Sequence, residues 1–402
     1  MFEMKQVFVS PGFIVLLIIA SAIIIKEFIN PIGMYGASNW SLTYYMVELI
    51  QGAFSLSIII VITFYTAEVE WRARNTGIVD IVDSMPVHNF IFWLSKLLAV
   101  SLIVVVLLGF GMLFTLANQL RDPNKIDPVC YVSANEVAQQ WFGHQLLPAN
   151  VQGSAVLSET LSQYAALQLM VNKYGETKLR QFLSSELDDY LRGRSTEYLQ
   201  EMPLMRAENQ AYIYYNKGSI VMMAIADRIG FDKLNKAIKG LLEKFENSNS
   251  RKATTLDLLS AIKEVADPKA HAFINQQFSD INLYNIKLLA AKWEKETSQV
   301  NLKIDAARVI ADGLGNETPA VFDDVVDIVV FANDPSDFSS ETVVLYRQKH
   351  RLVNGENELV IRLNGSFNDG SQPAYVGVDP FVRFIGTDVK DNVLRIKTKA
   401  EE

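Results

Sequence analysis

A chain of 402 residues has room for two or three domains, and its net charge of −8 argues against a nucleic-acid partner, which selects a basic surface. A single cysteine, Cys130, excludes an intramolecular disulfide and a cysteine-rich metal site, and a small buried hydrophobe is its expected role. Half of the residues are hydrophobic, and they are concentrated towards the N-terminal end.

Three uncharged runs open the chain. They cover 6–25 between Lys5 and Lys26, 49–67 between Glu48 and Glu68, and 97–120 between Lys96 and Arg121. A hydrocarbon core of ~30 Å takes about twenty helical residues, and lipid leaves an isolated apolar segment no structure but a helix. The first run is not read as a secretory signal: Glu3 sits in its leading segment, and no small-x-small cleavage site follows Ile25. A multi-pass α-helical membrane region over 1–125 is therefore expected, with membrane lipid as a partner. Arg72, Arg74 and Lys5 against Lys26, Arg121 and Lys125 weakly place the N-terminus in the cytoplasm. After three spans, the C-terminal domains would lie outside the cytoplasm, at a membrane of the bacterial inner type.

The loop after the second run reads Glu68-Val69-Glu70-Trp71-Arg72-Ala73-Arg74, then Ile78 to Val87 with Pro86 near its end. It resembles the cytoplasmic coupling segment of an ABC-exporter permease. An interfacial loop with a Trp71 anchor and snorkelling arginines explains the same residues. Neither a Walker motif nor a dinucleotide glycine fingerprint occurs, so ATP hydrolysis would need a separate ABC ATPase subunit.

From 126 to 281 the periodicity is helical. Helices are expected over 154–175, over 176–192 with Leu179, Phe182, Leu183, Leu187 and Tyr190 on one face, and over 212–229, 231–245 and 256–265. Thr255 is the expected cap of the last of these, and Gly230 a helix stop. Glu186, Asp188 and Asp189 read as a solvated face.

Within this region stands Asn135-Glu136-Val137-Ala138-Gln139. A zinc peptidase helix reads His-Glu-x-x-His, with two imidazoles one turn apart for the metal and a glutamate between them to activate water. Here Glu136 is present, and the two metal positions carry amides. Gln140-Trp141-Phe142-Gly143 follows, then Leu157-Ser158-Glu159 and Tyr215-Asn216-Lys217-Gly218. This order resembles the gluzincin, or membrane alanine aminopeptidase, family of zinc metallopeptidases. The resemblance implies Glu136 as general base and Tyr215 as the stabiliser of the tetrahedral intermediate. It implies metal positions at Asn135, Gln139 and Glu159.

The departures bear on activity. Two of three metal positions are neutral amides, poor zinc donors, so zinc, the family's cofactor, is not expected here. Nineteen residues separate Gln139 from Glu159, one more than the family pattern, and its Gly-x-Met-Glu-Asn motif does not occur. Of the four histidines only His144 lies near, and a packing role is expected for it. Compared with bacterial fusions of an ABC-type permease to a gluzincin-like domain, the short stretch from Arg121 to Pro128 leaves no room for their further spans or their β-rich leading subdomain.

Beyond 282 the period becomes that of strands. Val300–Ile304 and, in part, Leu359–Leu363 alternate, Val325–Phe331 and Thr342–Tyr346 are β-branched and apolar, and Asn354-Gly355 signals a turn. A terminal antiparallel β-sandwich over 282–402 is expected, with Asp388, Asp391 and Asn392 as loop residues. The reading is thus a membrane-anchored, aminopeptidase-like protein that binds a peptide or protein partner without cleaving it. Two alternatives stand beside it: an active zinc peptidase with a remodelled site, and a permease-type subunit of an ABC exporter.

Overall fold

The computed structural model describes residues 88–121, 128–246, 251–336, 341–363, 372–388 and 391–398, with isolated positions before 88. The chain divides into two compact units, one of Met1–Pro31 and Asn39–Lys125, the other of Ile32–Ser38 and Ile126–Glu402. The spans expected at 6–25 and 49–67 lie largely outside the described residues.

In the first unit, helix α1 (Asn89–Arg121) contains the third expected span. Over Lys96–Leu113 its mean hydropathy is 2.5, and hardly any of that window is buried. Leu98, Val105, Met112 and Leu113 are exposed. Among the described residues this is one helix long and apolar enough to cross a membrane.

The second unit begins with helices. After α2 (Pro128–Gln139) come a π-helical turn (Gln140–Gln145), a second π turn (Val156–Thr160) and α3 (Leu161–Tyr174). Next are α4 (Glu176–Thr196), a third π turn (Tyr212–Lys217) and α5 (Gly218–Ile229). The set closes with α6 (Phe231–Phe245), α7 (Thr255–Val265) and α8 (His271–Ser279). Helix α5 is apolar around its circumference and buried from Gly218 to Ala226, as a central helix must be. In α6, Leu234, Ala237, Ile238, Leu241 and Phe245 recur at three- and four-residue steps and bury one stripe. The cap of α7 is Thr254, one residue before the expected Thr255, in a reciprocal capping box with Asp257. Arg251 and Thr254 hold the Asp257 carboxyl well below its usual range.

The expected period change is real, and the first strand starts two residues earlier than Leu283. Strands β1 (Ile281–Glu294), β2 (Gln299–Ala311) and β3 (Glu317–Ala320) are followed by β4 (Asp323–Phe331), β5 (Val344–Val353) and β6 (Gly355–Arg362). Short strands β7 (Tyr375–Val378), β8 (Val393–Arg395) and β9 (Lys397–Thr398) complete the set. One sheet runs β3-β2-β1-β9 with β6 also on β2, and the other β5-β4-β7-β8. Every pairing is antiparallel except β1 with β9, which is parallel. Strand β4 is interior to its sheet and buried from Val326 to Phe331, so it reads as an unbroken apolar run. The Asn354-Gly355 turn does not close a hairpin. It carries the chain from one sheet to the other, with Gly355 at φ 87°, where a side chain is disfavoured.

Ion pairs join the helices to the sheets. Glu176, at the start of α4, takes two bonds from Arg347 on β5, at 2.8 and 3.0 Å, and one from Arg383 at 3.2 Å. Arg347 also reaches the buried Asp327 at 2.9 Å.

Candidate functional site

Helix α2 places Asn135 and Gln139 one turn apart, so both side chains leave the same face. Asn135 is buried, Gln139 partly buried, and Glu136 exposed. Glu159 comes from the second π turn and Tyr215 from the third, while the first π turn follows Gln139 directly. Three π segments therefore frame one site. A π turn holds more residues than an α turn, so the segment from Gln139 to Glu159 carries its additional residue and still brings Glu159 back onto Gln139. The second and third turns touch. Thr160 donates its hydroxyl to the Tyr214 carbonyl at 2.5 Å, and a Cβ on Gly218 would lie 2.4 Å from that hydroxyl oxygen. This close approach accounts for the glycine of the Lys217-Gly218 pair.

The family-equivalent positions thus converge. The Gln139 amide nitrogen donates to Glu159 Oε2 at 2.8 Å and lies 3.5 Å from Asn135 Oδ1. Ser158 donates to the other Glu159 oxygen at 3.3 Å. Tyr215 reaches Glu159 as well; burial first, then the Glu159 hydrogen bond and charge, with Glu136 contributing, push its phenol up. Two ligands of a tetrahedral zinc at ~2.1 Å would stand about 3.4 Å apart. The polar tips of Asn135, Gln139 and Glu159 are already that close, with hydrogen bonds rather than a cation between them.

Behind this face runs a second layer that periodicity alone did not reveal. Asn135 Nδ2 donates to Gln163 Oε1 at 2.6 Å, and Gln163 Nε2 donates to Glu186 Oε1 at 2.8 Å. Tyr131 donates to the same Glu186 oxygen at 2.7 Å, and Asn216 to the other at 2.8 Å. Glu186 is buried, as is Asp188, which pairs with Arg192 at 2.6 Å; the solvated-face reading of these two acids is corrected. One signal was available: Glu186 falls midway between Phe182 and Tyr190 at four-residue spacing, on the face that buries both. Burial, helped by Asp189, pushes the Glu186 carboxyl up to about 7 against three donors that favour its charge. Burial likewise raises the Tyr131 phenol, with Glu186 adding to it.

His144 does not join the cluster. It is exposed, with Nδ1 3.1 Å from the Gln139 carbonyl oxygen. Cys130 is only partly buried, less than expected for a core hydrophobe.

Two amides and a carboxylate do not fit zinc, which selects imidazole nitrogen, thiolate or carboxylate oxygen. The amide nitrogen that Gln139 turns into the site is a donor, with no lone pair to give. Among the described residues no three His, Cys, Asp or Glu side chains gather where they could hold a metal ion.

This constellation, a glutamate-bearing helix answered by a second glutamate and a tyrosine from flanking turns, is of metallopeptidase type. Residues 111–280 match the Peptidase family M1 domain, the gluzincin aminopeptidase domain, whose members use zinc. The match ends at Asp280, one residue before β1, and leaves out the first 110 residues, so the permease resemblance rests on sequence pattern alone. No curated protein matches the chain.

Proposed function

We infer that this M1-type domain binds a peptide or partner chain at its cleft without hydrolysing it, and that α1 anchors it to a membrane. One observation carries the reading: where the family holds a metal, the Gln139 amide donates to Glu159. Hydrolysis at neutral pH needs a water brought from a pKa of ~15.7 towards ~7, which a neutral amide cannot do. Glu136 and Tyr215 remain at the accessible side of the site, where an extended chain can still contact them. The exposed apolar length of α1 supports the anchor, because a soluble helix of that hydropathy would bury it.

The deciding experiment measures metal content and aminopeptide hydrolysis on the full chain in detergent, beside its Glu136→Ala variant. No stoichiometric zinc, and no turnover above that variant, is expected. Tightly held zinc at one equivalent, with hydrolysis abolished by Glu136→Ala, would instead establish an active peptidase. Membrane anchoring is tested by Leu98→Arg with Val105→Arg, two exposed positions of α1 seven residues apart. At ~2.5–3.5 kcal/mol per arginine at a span centre, the pair should release the protein from washed membranes.

A further inference from the structure

The hydrogen bonds around Gln139 have a fixed polarity. An ionised carboxylate only accepts, so Glu159 compels Gln139 to turn its nitrogen, not its oxygen, towards it at 2.8 Å. At the other end Glu186 compels the Gln163 nitrogen towards itself at 2.8 Å, which turns the Gln163 oxygen to Asn135 Nδ2 at 2.6 Å. Asn135 is then left with its oxygen facing the Gln139 nitrogen, 3.5 Å away. The two ends impose the same direction on the chain of amides. Reversing any one of them would set oxygen against oxygen. The nitrogen of Gln139 has two hydrogens, and two oxygens of the former metal positions face it.

We propose that the Gln139 carboxamide has taken over the metal's structural task, tying α2 to the turn that carries Glu159 through its two N–H groups, with Gln163 and Glu186 as the positioning residues that fix its direction. The fold of this domain is therefore independent of divalent metal, and a cation can enter only by breaking both bonds. The proposal rests on the metal-free reading above but goes beyond it, since a site could lose its metal without anything replacing the link.

The test is thermal unfolding of the full chain in detergent, with chelator or with added zinc chloride. In the unsubstituted protein neither addition moves the melting temperature by more than about 1 °C. With chelator present, Gln139→Met, which keeps the length and removes the donors, lowers it by about 3–8 °C, as expected for a buried donor to a charged group. Gln139→Glu, which offers only acceptors to Glu159, falls further at pH 8. Gln163→Leu also lowers it, and Gln139→Met with Gln163→Leu together lose less than the sum, because each alone already interrupts the relay. A zinc-induced rise of several degrees in the unsubstituted protein overturns the proposal. So does a Gln139→Glu variant that melts with it. Unmoved Gln139 variants in a protein without zinc or turnover would sink the link and leave the non-hydrolytic reading standing.

Discussion

Replacing Glu186 by glutamine should leave stability nearly unchanged at pH 5 and raise it at pH 8. The Glu186 carboxyl is buried and pushed from 4.5 to about 7, chiefly by the loss of water around its charged form. A group whose folded pKa lies above its unfolded one contributes stability in full below the unfolded value, and that contribution is lost as pH rises through the folded value. At 1.36 kcal/mol per pKa unit, the loss between pH 4.5 and 8 is about 3 kcal/mol. Glutamine copies the neutral acid: its oxygen still accepts from Tyr131 and Gln163, and Asn216 need only turn its own oxygen to the new amide nitrogen. The variant should therefore exceed the parent by up to about 3 kcal/mol at pH 8. Asp379, buried and raised to about 7, gives a second decline over the same range, and His350, lowered by burial, acts in the opposite direction. Both persist in the variant, so the difference between the two proteins isolates Glu186. The assay is urea unfolding of both proteins at half-unit steps from pH 4.5 to 8.5. Parallel curves across that window, or a variant less stable at pH 8, would refute the placement of a lone buried carboxylate at the end of the relay.

Restoring both imidazoles, Asn135→His with Gln139→His, should yield about one equivalent of bound zinc by elemental analysis. An asparagine amide ends where the first ring nitrogen of a histidine would lie, so Gln163 would accept from Nδ1–H and leave Nε2 for the metal. A folded double variant without zinc would show that the pocket itself no longer fits. Gly218→Ala should cost about 1–3 kcal/mol, because its Cβ meets the Thr160 hydroxyl, and adding Thr160→Ala should recover part of the loss in thermal unfolding. Arg347→Leu strands the buried Asp327 carboxylate and frees Glu176, with an expected loss of about 3–5 kcal/mol in chemical denaturation. Equal stability of this variant and the parent would mean the pairs are idle.

Much of the helical domain was legible because burial imposes a period: Leu179, Phe182, Leu183, Leu187 and Tyr190 were placed on one face and are all buried. Strands declared themselves similarly, from Val325–Phe331 to the Asn354-Gly355 turn. Periodicity could not say that this turn joins two different sheets, because pairing partners are set by distant residues. Nor did it give the parallel β1–β9 pair.

The five site positions were found because Asn135, Glu136 and Gln139 lie within one helical turn, and because Glu159 and Tyr215 follow at the order of a known family. Local spacing alone determined that two amides share a face with a glutamate. Whether those amides would meet a cation, water or one another was decided by Glu159, Gln163 and Glu186, which lie 20 to 51 residues further along the chain. An amide has a donor end and an acceptor end, and its direction follows from whichever charged groups the fold brings beside it. Here two carboxylates, delivered by a π turn and by α4, compel the same direction from opposite ends of the relay.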